Sequence, residues 1–581
     1  MRMDYGIWSG KHTSTLPAPQ RAAACCLGLC LACGASQAVA QAVAPDAGSL
    51  LRNIEKPARL PTPAPALSEP EAVVRTPQPG EASVVVKSFR ISGATRMDAA
   101  QLQQRLAPWV GRSLSLSGLE DATRAVVGLY REHGYVARAQ LPAQTIQDGI
   151  VDIAVVEGKL GRVLSDTGGK TSRLAPQRAS AYIHEQTAPG EPIKLQQLER
   201  GMLLLRDLPG SNIAGTLEAG AREGEIDVHL TLSDAPLLSG SVAVNNSGTP
   251  STGSAQVDAQ VNINGAAGRG EQWNAHGLAA TGLDYGRAGL TLPLGYGGWA
   301  VGASLASMRY RLGDRFASLA AGGHAETAGA SASYPIERSR ERNTYASINA
   351  ERKHYVNTRL GNSVSDKRVD ALALGFVGSS VDSRGVSNYA VTLTEGMLDL
   401  SAQAENSSAD ASSARTQGAY GKFSWNVSRQ HSLNNTIAAY AAFAGQVASK
   451  NLDSSEKLFL GGPNAVRAYP ANEAGGDQGM LLNLELRAML NADLQGFAFV
   501  DAGAVKQNRN LWPGWQGKSL LANRIDLAGA GLGLTWNLWE SSLRLSLARR
   551  IGSNPLASAD GTDSDGAQRN ARFWAQYGKN F

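Results

Sequence analysis

The chain lacks cysteine wherever cysteine would matter. All four, Cys25, Cys26, Cys30 and Cys33, lie in one apolar stretch near the start. That stretch follows Lys11 and Arg21, runs from about Ala22 to Ala35 and ends in Ala38-Val39-Ala40, the layout of a secretory signal peptide cut before Gln41. What remains after cleavage has no cysteine, which excludes disulfides, thiolate metal sites and cysteine nucleophiles together. An alternative reads Leu31-Ala32-Cys33 as a lipobox with Cys33 lipidated, although Cys30 stands where a leucine is expected. Beyond the N-terminus there is also no apolar run of the roughly 20 residues a membrane-crossing helix needs. Any embedded part must therefore be a closed barrel, because only a barrel pairs every strand edge away from lipid. Charge is sparse as well, at 18% of 581 residues with a net +5, and no clustered basic face marks a nucleic-acid partner.

Several catalytic signatures are absent too. Gly169-Lys170-Thr171 has Leu164, not glycine, five positions upstream, and Gly517-Lys518-Ser519 has Trp512 there, so neither forms a phosphate cradle. No Gly-x-Ser-x-Gly elbow or His-Glu-x-x-His helix occurs, and the seven histidines after the signal are scattered. Asp560 to Gly566 has the oxygen ligands of a calcium loop without the distal glutamate, which reads as a solvated loop. Neither an enzyme nor a cofactor or metal site is expected.

What is abundant is glycine, 64 residues, above the usual share of about 7%. With a slightly negative mean hydropathy, this suits a turn-rich, mainly β protein. Asp46 to Lys56 forms a short helix with Leu50, Leu51 and Ile54 on one side. An extended linker follows, carrying Pro57, Pro61, Pro63, Pro65, Pro70, Pro77 and Pro79. From residue 84 to 160 the pattern is strand Val84–Ile91, helices Asp98–Leu106 and Gly118–His133, then strands Val136–Leu141 and Gly149–Glu157. Over 161–235 the β-α-α-β-β order returns, with helices Gln177–Gln186 and Leu195–Leu208 and strands Ile213–Ala219 and Glu225–Leu232. Each unit offers a strand edge to an extended guest, or else serves as a rigid spacer.

From 236 to 581 the texture is strands. Leu482, Leu484 and Leu486 alternate with Asn483, Glu485 and Arg487, and Leu543, Leu545 and Leu547 with Arg544 and Ser546. Apolar outward and charged inward is the pattern of a lipid-embedded barrel with a wet lumen. About 345 residues at roughly 20 per strand and connection allow about 16 antiparallel strands. Within this region Leu458 to Pro470, LFLGGPNAVRAYP, is too Gly- and Pro-rich for a strand and presents one cation, Arg467, between Val466 and Ala468-Tyr469. In the later strand Phe497, Phe499, Asp501 and Gly503 share a face. An acid on the closed side of a barrel needs a partner, so loop 450–479 is expected to fold inward and bring Arg467 to Asp501.

Val466-Arg467-Ala468-Tyr469 resembles the V-R-G-Y signature at the sixth-loop tip of Omp85-type transporters, and Phe499-x-Asp501-x-Gly503 resembles their F-x-D-x-G strand motif. Together with the LFLGGP lead-in and the N-terminal layout, they identify the chain as similar to the TpsB branch, the haemolysin secretion/activation type. That resemblance spans nearly all of the mature chain. It implies a signal peptide over 1–40, a pore-plugging helix and linker over 41–83, two POTRA domains over 84–160 and 161–235, and an outer-membrane barrel over 236–581. It further implies export of one large β-helical exoprotein by two-partner secretion, without nucleotide, the exoprotein's own folding outside preventing return. The implied partners are that exoprotein, outer-membrane lipid and the barrel assembly machinery, which would read a final strand with Phe573, Tyr577 and terminal Phe581 on one face. Alternatives are an Omp85-type assembly factor, favoured by three POTRA units where two are counted, and a plain porin-like barrel. One position departs: the family usually has glycine at Ala468, and if a left-handed backbone were needed there alanine would cost about 1–2 kcal/mol.

Overall fold

The computed structural model describes residues 44–55, 83–516, 522–558 and 560–581. The signal-peptide and lipobox readings, and most of the proline-rich linker, fall outside those residues.

Two α/β units come first. In residues 84–157, Ser88–Ser92 runs parallel to Ile150–Glu157, which pairs antiparallel with Ala137–Gln140. Helices Ala99–Leu106 and Leu116–Glu132 cover one side, burying Leu119, Ala122, Val126 and Leu129 against Phe89, Val151 and Ile153. The long helix ends at Gly134, whose φ of 78° is the left-handed stop a Cβ would resist. The first strand is shorter than the expected Val84–Ile91. Val84–Val85 leaves the sheet to pair with Ser113–Leu114, and at the crossing Val86 and Lys87 donate to the Arg112 and Gly149 carbonyls. The order repeats over 159–234. Here Lys159–Asp166 is parallel to Glu225–Asp234, Ser211–Ala219 is antiparallel to it, and helices Pro176–Gln186 and Leu195–Arg206 pack around Leu198, Met202 and Leu205.

This second unit is tied to the barrel. Arg338 Nε and Nη2 donate to Asp207 at 2.7 and 2.6 Å, and the Arg200 guanidinium donates to the Pro335 carbonyl at 2.6 Å. Tyr182 meets Tyr296 edge-on, with ring centroids 5.3 Å apart.

Sixteen antiparallel strands then close a barrel in chain order, broken only where the segment between Ile437–Ala448 and Gln478–Met489 turns into the lumen. Leu238–Asn245 and Ala571–Asn580 close the cylinder through five residue pairs, Gln576 opposite Asn245 to Asn580 opposite Ser241. Phe581 and Gly240 then exchange backbone hydrogen bonds of 2.9 and 3.0 Å, so the chain terminus itself completes the seam.

Leu482, Leu484, Leu486 and Leu547 are exposed on the outside, while Glu485, Ser546 and Asp501 are buried inside. The outward-apolar pattern does not hold over whole strands elsewhere. Ala321–Arg338, Arg342–Arg359 and Asn362–Asp382 are 18, 18 and 21 residues long, against the 9–11 that span a bilayer. Their surplus lies at the end away from the α/β units, and there Glu326, Arg352, Arg368 and Asp370 have the outward parity. Charge is compatible with that face because those segments stand clear of hydrocarbon. A short helix, Ala404–Ala411, in a connection at the same end was also not expected from the sequence.

Candidate functional site: an inward loop and a short helix inside the barrel

The connection from residue 449 to 477 enters the lumen from the far end as a hairpin-like insertion. Leu458–Phe459 pairs with Gly475–Gly476 at its neck, and the Val466 and Tyr469 N–H groups donate to the Leu460 and Val466 carbonyls to fold its tip. Leu460, Val466, Ala468 and Tyr469 are fully buried there with Phe497, Phe499, Val505 and Leu527.

Burying a guanidinium this deeply is tolerable only if its donors find acceptors. Arg467 grips Asp501 bidentately, Nε to Oδ2 at 2.8 Å and Nη2 to Oδ1 at 2.7 Å, and its backbone N–H adds 3.1 Å to the same carboxylate. Nη1 donates to Glu485 Oε1 at 2.6 Å. The guanidinium carbon lies 3.5 Å from the centre of the Phe499 ring, which gives the aromatic of the strand motif a stacking role. Trp574 Nε1 donates to the Arg467 carbonyl at 2.7 Å, and Asn483 Nδ2 bridges the Ala465 carbonyl and Asp501 Oδ1 at 2.9 and 2.7 Å. Glu485 also takes Arg487 at 2.7 Å.

Small residues let loop and wall approach. A Cβ on Gly503 would come within 2.7 Å of Leu460 Cδ2, and one on Gly529 within 2.5 Å of the Ala468 Cβ. Ala468 is not among the residues with positive φ, so the tip does not adopt the conformation in which alanine would be strained, and the cost considered for it does not arise. Asp501, Arg467, Val466, Tyr469 and Phe499 are thus in one place, and Gly503 borders it. Sequence reasoning put Asn483 and Glu485 on the lumen side without pairing either with Arg467, and it did not name Trp574, which has the inward parity of its strand.

The other occupant of the lumen is the helix Ala47–Ile54. Asp46 caps it, accepting from the Ser49 N–H at 2.9 Å, and Ala47 N–H donates to Asn357 Oδ1 at 2.9 Å. Leu50 and Leu51 are buried among Tyr285, Met308, Tyr310, Tyr355, Val369 and Leu452, with Ile54 only half-buried at the margin. Lys367, on the wall, reaches Asp46 Oδ2 at 3.1 Å and Asp453 Oδ2, in the inward loop, at 2.8 Å. Ser454 Oγ donates to Asp46 at 2.6 Å. Burial pushes the Asp46 carboxyl up, but the Lys367 ammonium and the Ser454 and Ser49 hydrogen bonds outweigh it and hold it well below the carboxylate range. A few residues on, Glu456 pairs with Lys422 and, at 3.6 Å, with Lys353.

The segment read as a solvated loop is instead packed on the insertion. Asp563 is buried between Arg550 and Arg572, and Asn554 Nδ2 links it to Glu473 at 2.9 and 2.7 Å. Two arginines contributed by barrel strands neutralise the carboxylate, which no local pattern signals. His324 and His354, on neighbouring strands, meet edge-on with centroids 6.3 Å apart, yet no grouping of three or more metal-type ligands occurs among the described residues. Phe573, Tyr577 and Phe581 are all exposed on the outer face.

Comparison with known proteins places this geometry. The family model of the haemolysin secretion/activation protein ShlB/FhaC/HecB matches residues 224–536, and that of the ShlB-type POTRA domain matches 84–158. The heme/hemopexin transporter protein HuxB of Haemophilus influenzae (strain 86-028NP) is 25% identical over 529 residues, covering 88% of this chain and 92% of its own. The outer membrane transporter CdiB of Escherichia coli O6:K15:H31 is 24% identical over 481 residues, 79% of this chain and 76% of its own. The solved structure of CdiB from Escherichia coli superposes with a TM-score of 0.67 at 21% identity, covering 89% and 94% of the two chains.

Proposed function

The chain belongs to the haemolysin secretion/activation protein family ShlB/FhaC/HecB, and we propose that it is the outer-membrane pore that exports one large exoprotein along the route whose parts are laid out in its lumen. It is a transporter of two-partner secretion, with its barrel in the outer membrane and its α/β units in the periplasm.

The observation that carries the proposal is that the lumen holds two occupants of different kinds. The loop is continuous with barrel strands at both ends and clamped at its tip. The helix precedes the proline-rich stretch Pro57 to Pro79 in sequence and is held by two leucines, a cap and ion pairs. An unfolded exoprotein adds as a strand to an exposed edge of the periplasmic units, where unpaired N–H and C=O groups give affinity without sequence demand. The helix then withdraws, the exoprotein passes, and its folding outside makes passage irreversible. Arg467, Asp501 and Glu485 keep the loop against the wall while this happens. A diffusion porin has no use for a filled lumen or for periplasmic units bolted to its rim. The assembly machinery enters during biogenesis, with Phe573, Tyr577 and Phe581 as the strand it reads.

The test is Arg467→Ala in cells that also make the cognate exoprotein. The barrel should reach the outer membrane with normal heat-modifiable mobility while exoprotein in the medium falls to background. Normal secretion by that variant refutes the role of the clamp.

A further inference from the structure

The helix Ala47–Ile54 rests on one continuous strip of the barrel wall. Strand register sets Leu278, Tyr285, Met308, Ala325, Tyr355 and Lys367 opposite one another in a single row across six strands, all on the lumen side. Five of them pack in one cluster with Leu50 and Leu51. The sixth, Lys367, closes the row at one end, where it meets Asp46 at 3.1 Å. Near the other end Arg287, two residues past Tyr285 and so on the same face, meets Glu55 at 3.8 Å, and Tyr285 Oη donates to that carboxylate at 3.4 Å. The wall therefore offers cation, apolar strip and cation, and the helix answers with acid, leucines and acid.

The two ends are not equivalent. Lys367 also holds Asp453 Oδ2 at 2.8 Å and Ser454 Oγ at 3.2 Å, which belong to the inward loop and stay when the helix leaves. Arg287 draws its carboxylate from the helix and donates besides to Ser304 Oγ at 3.0 Å. An empty seat would leave that guanidinium without its carboxylate, and two tyrosines and a methionine against water.

None of this recognition needs a helix. Asp46 and Glu55 are nine positions apart, about 13 Å along a helix. An extended chain covers that distance in about four residues, and its residues i, i+2 and i+4 share a face. We propose that the strip docks the exported chain, taking an extended segment with a carboxylate, an apolar side chain and a carboxylate at alternate positions, and that the helix is the protein's own stand-in for that segment. This deepens the export reading and rests on it. The lumen is the exported chain's route, so a segment of this chemistry reaches the strip and, by covering it, exchanges for the helix instead of opening a bare pore. A basic segment would meet Lys367 and Arg287 with like charge.

The test holds the full-length protein carrying Leu50→Asp with Leu51→Asp in a planar bilayer. It times current blockades by the synthetic peptide Gly-Ser-Asp-Thr-Leu-Thr-Asp-Ser-Gly added on the periplasmic side. These should last several-fold longer than blockades by the same peptide with both aspartates replaced by asparagine, or with its leucine replaced by serine. In the same background Arg287→Gln should remove most of the advantage of the aspartates and keep that of the leucine, and Tyr285→Ser with Tyr355→Ser should do the reverse. Heat-modifiable mobility shows that each barrel is folded. Equal blockade times for the three peptides, or preferences that survive both wall variants, would overturn the proposal. Because the readout is peptide residence and not secretion, its failure leaves the export reading standing, and that reading is decided by Arg467→Ala.

Discussion

The loop tip and the helix Ala47–Ile54 occupy the same lumen and are both held by buried charge, yet they are anchored differently. At the tip one cation meets two carboxylates and an aromatic face while an indole holds its backbone carbonyl, all from strands whose positions the closed sheet already determines. Little conformational entropy remains to be lost there. The helix has eight residues, too few to persist alone in water. Its two buried leucines are worth about 1.5–3 kcal/mol each, and against that stands the ordering of the whole segment at about 1–2 kcal/mol per residue. Loop tip and helix thus differ less in the kinds of contact than in what each contact must hold in place.

The largest effect is expected from Arg467→Ala, where a stranded Asp501 costs about 3–5 kcal/mol locally, Glu485 keeping Arg487, and export is lost. A smaller but opposite-facing effect should follow Leu50→Asp with Leu51→Asp. This removes the plug's apolar hold, so single-channel conductance in planar bilayers should rise while exoprotein export persists; unchanged conductance would mean the helix is not what fills the pore. If the tip is as over-determined as its geometry indicates, Trp574→Phe should remove one hydrogen bond of about 1 kcal/mol. Secretion should then fall only a few-fold, and complete loss would show that the clamp has no reserve.

The smallest change is expected with pH. A depressed carboxyl contributes stability that is fully present above its unperturbed pKa and is lost only as pH falls through the depressed value. Asp46 is of this kind, so the closed-state conductance should be the same at pH 7 and pH 5. Opening of the pore over that interval would show that the Lys367 latch is weaker than its geometry implies.

Much of this was legible beforehand because it is periodic. Alternation along 482–488 and 543–547 declared a lumen side, and helical spacing at Leu119, Ala122, Val126 and Leu129 declared the first unit's core. The meeting of Arg467 with Asp501 was accessible because an acid on an enclosed face demands a partner. Lys367 and Asp453 were not, since they lie in an ordinary strand and an ordinary turn, and the helix they hold is over 300 positions away from the lysine. Asp563 was misjudged for the same reason: its local spacing suits a solvated loop, and only Arg550 and Arg572 arriving from two strands make burial tolerable.

Local chemistry therefore determined the kinds of element, their faces and the compartment, since periodicity, turn residues and the run of cysteines at the start depend on near neighbours alone. The tertiary structure decided which charges meet, which side of a tall strand stands clear of lipid, and that the helix Ala47–Ile54 lies inside the pore. Those outcomes depend on closing a cylinder of sixteen strands. Closure brings together groups that the sequence separates by hundreds of residues, and the low dielectric within makes each of their pairings obligatory.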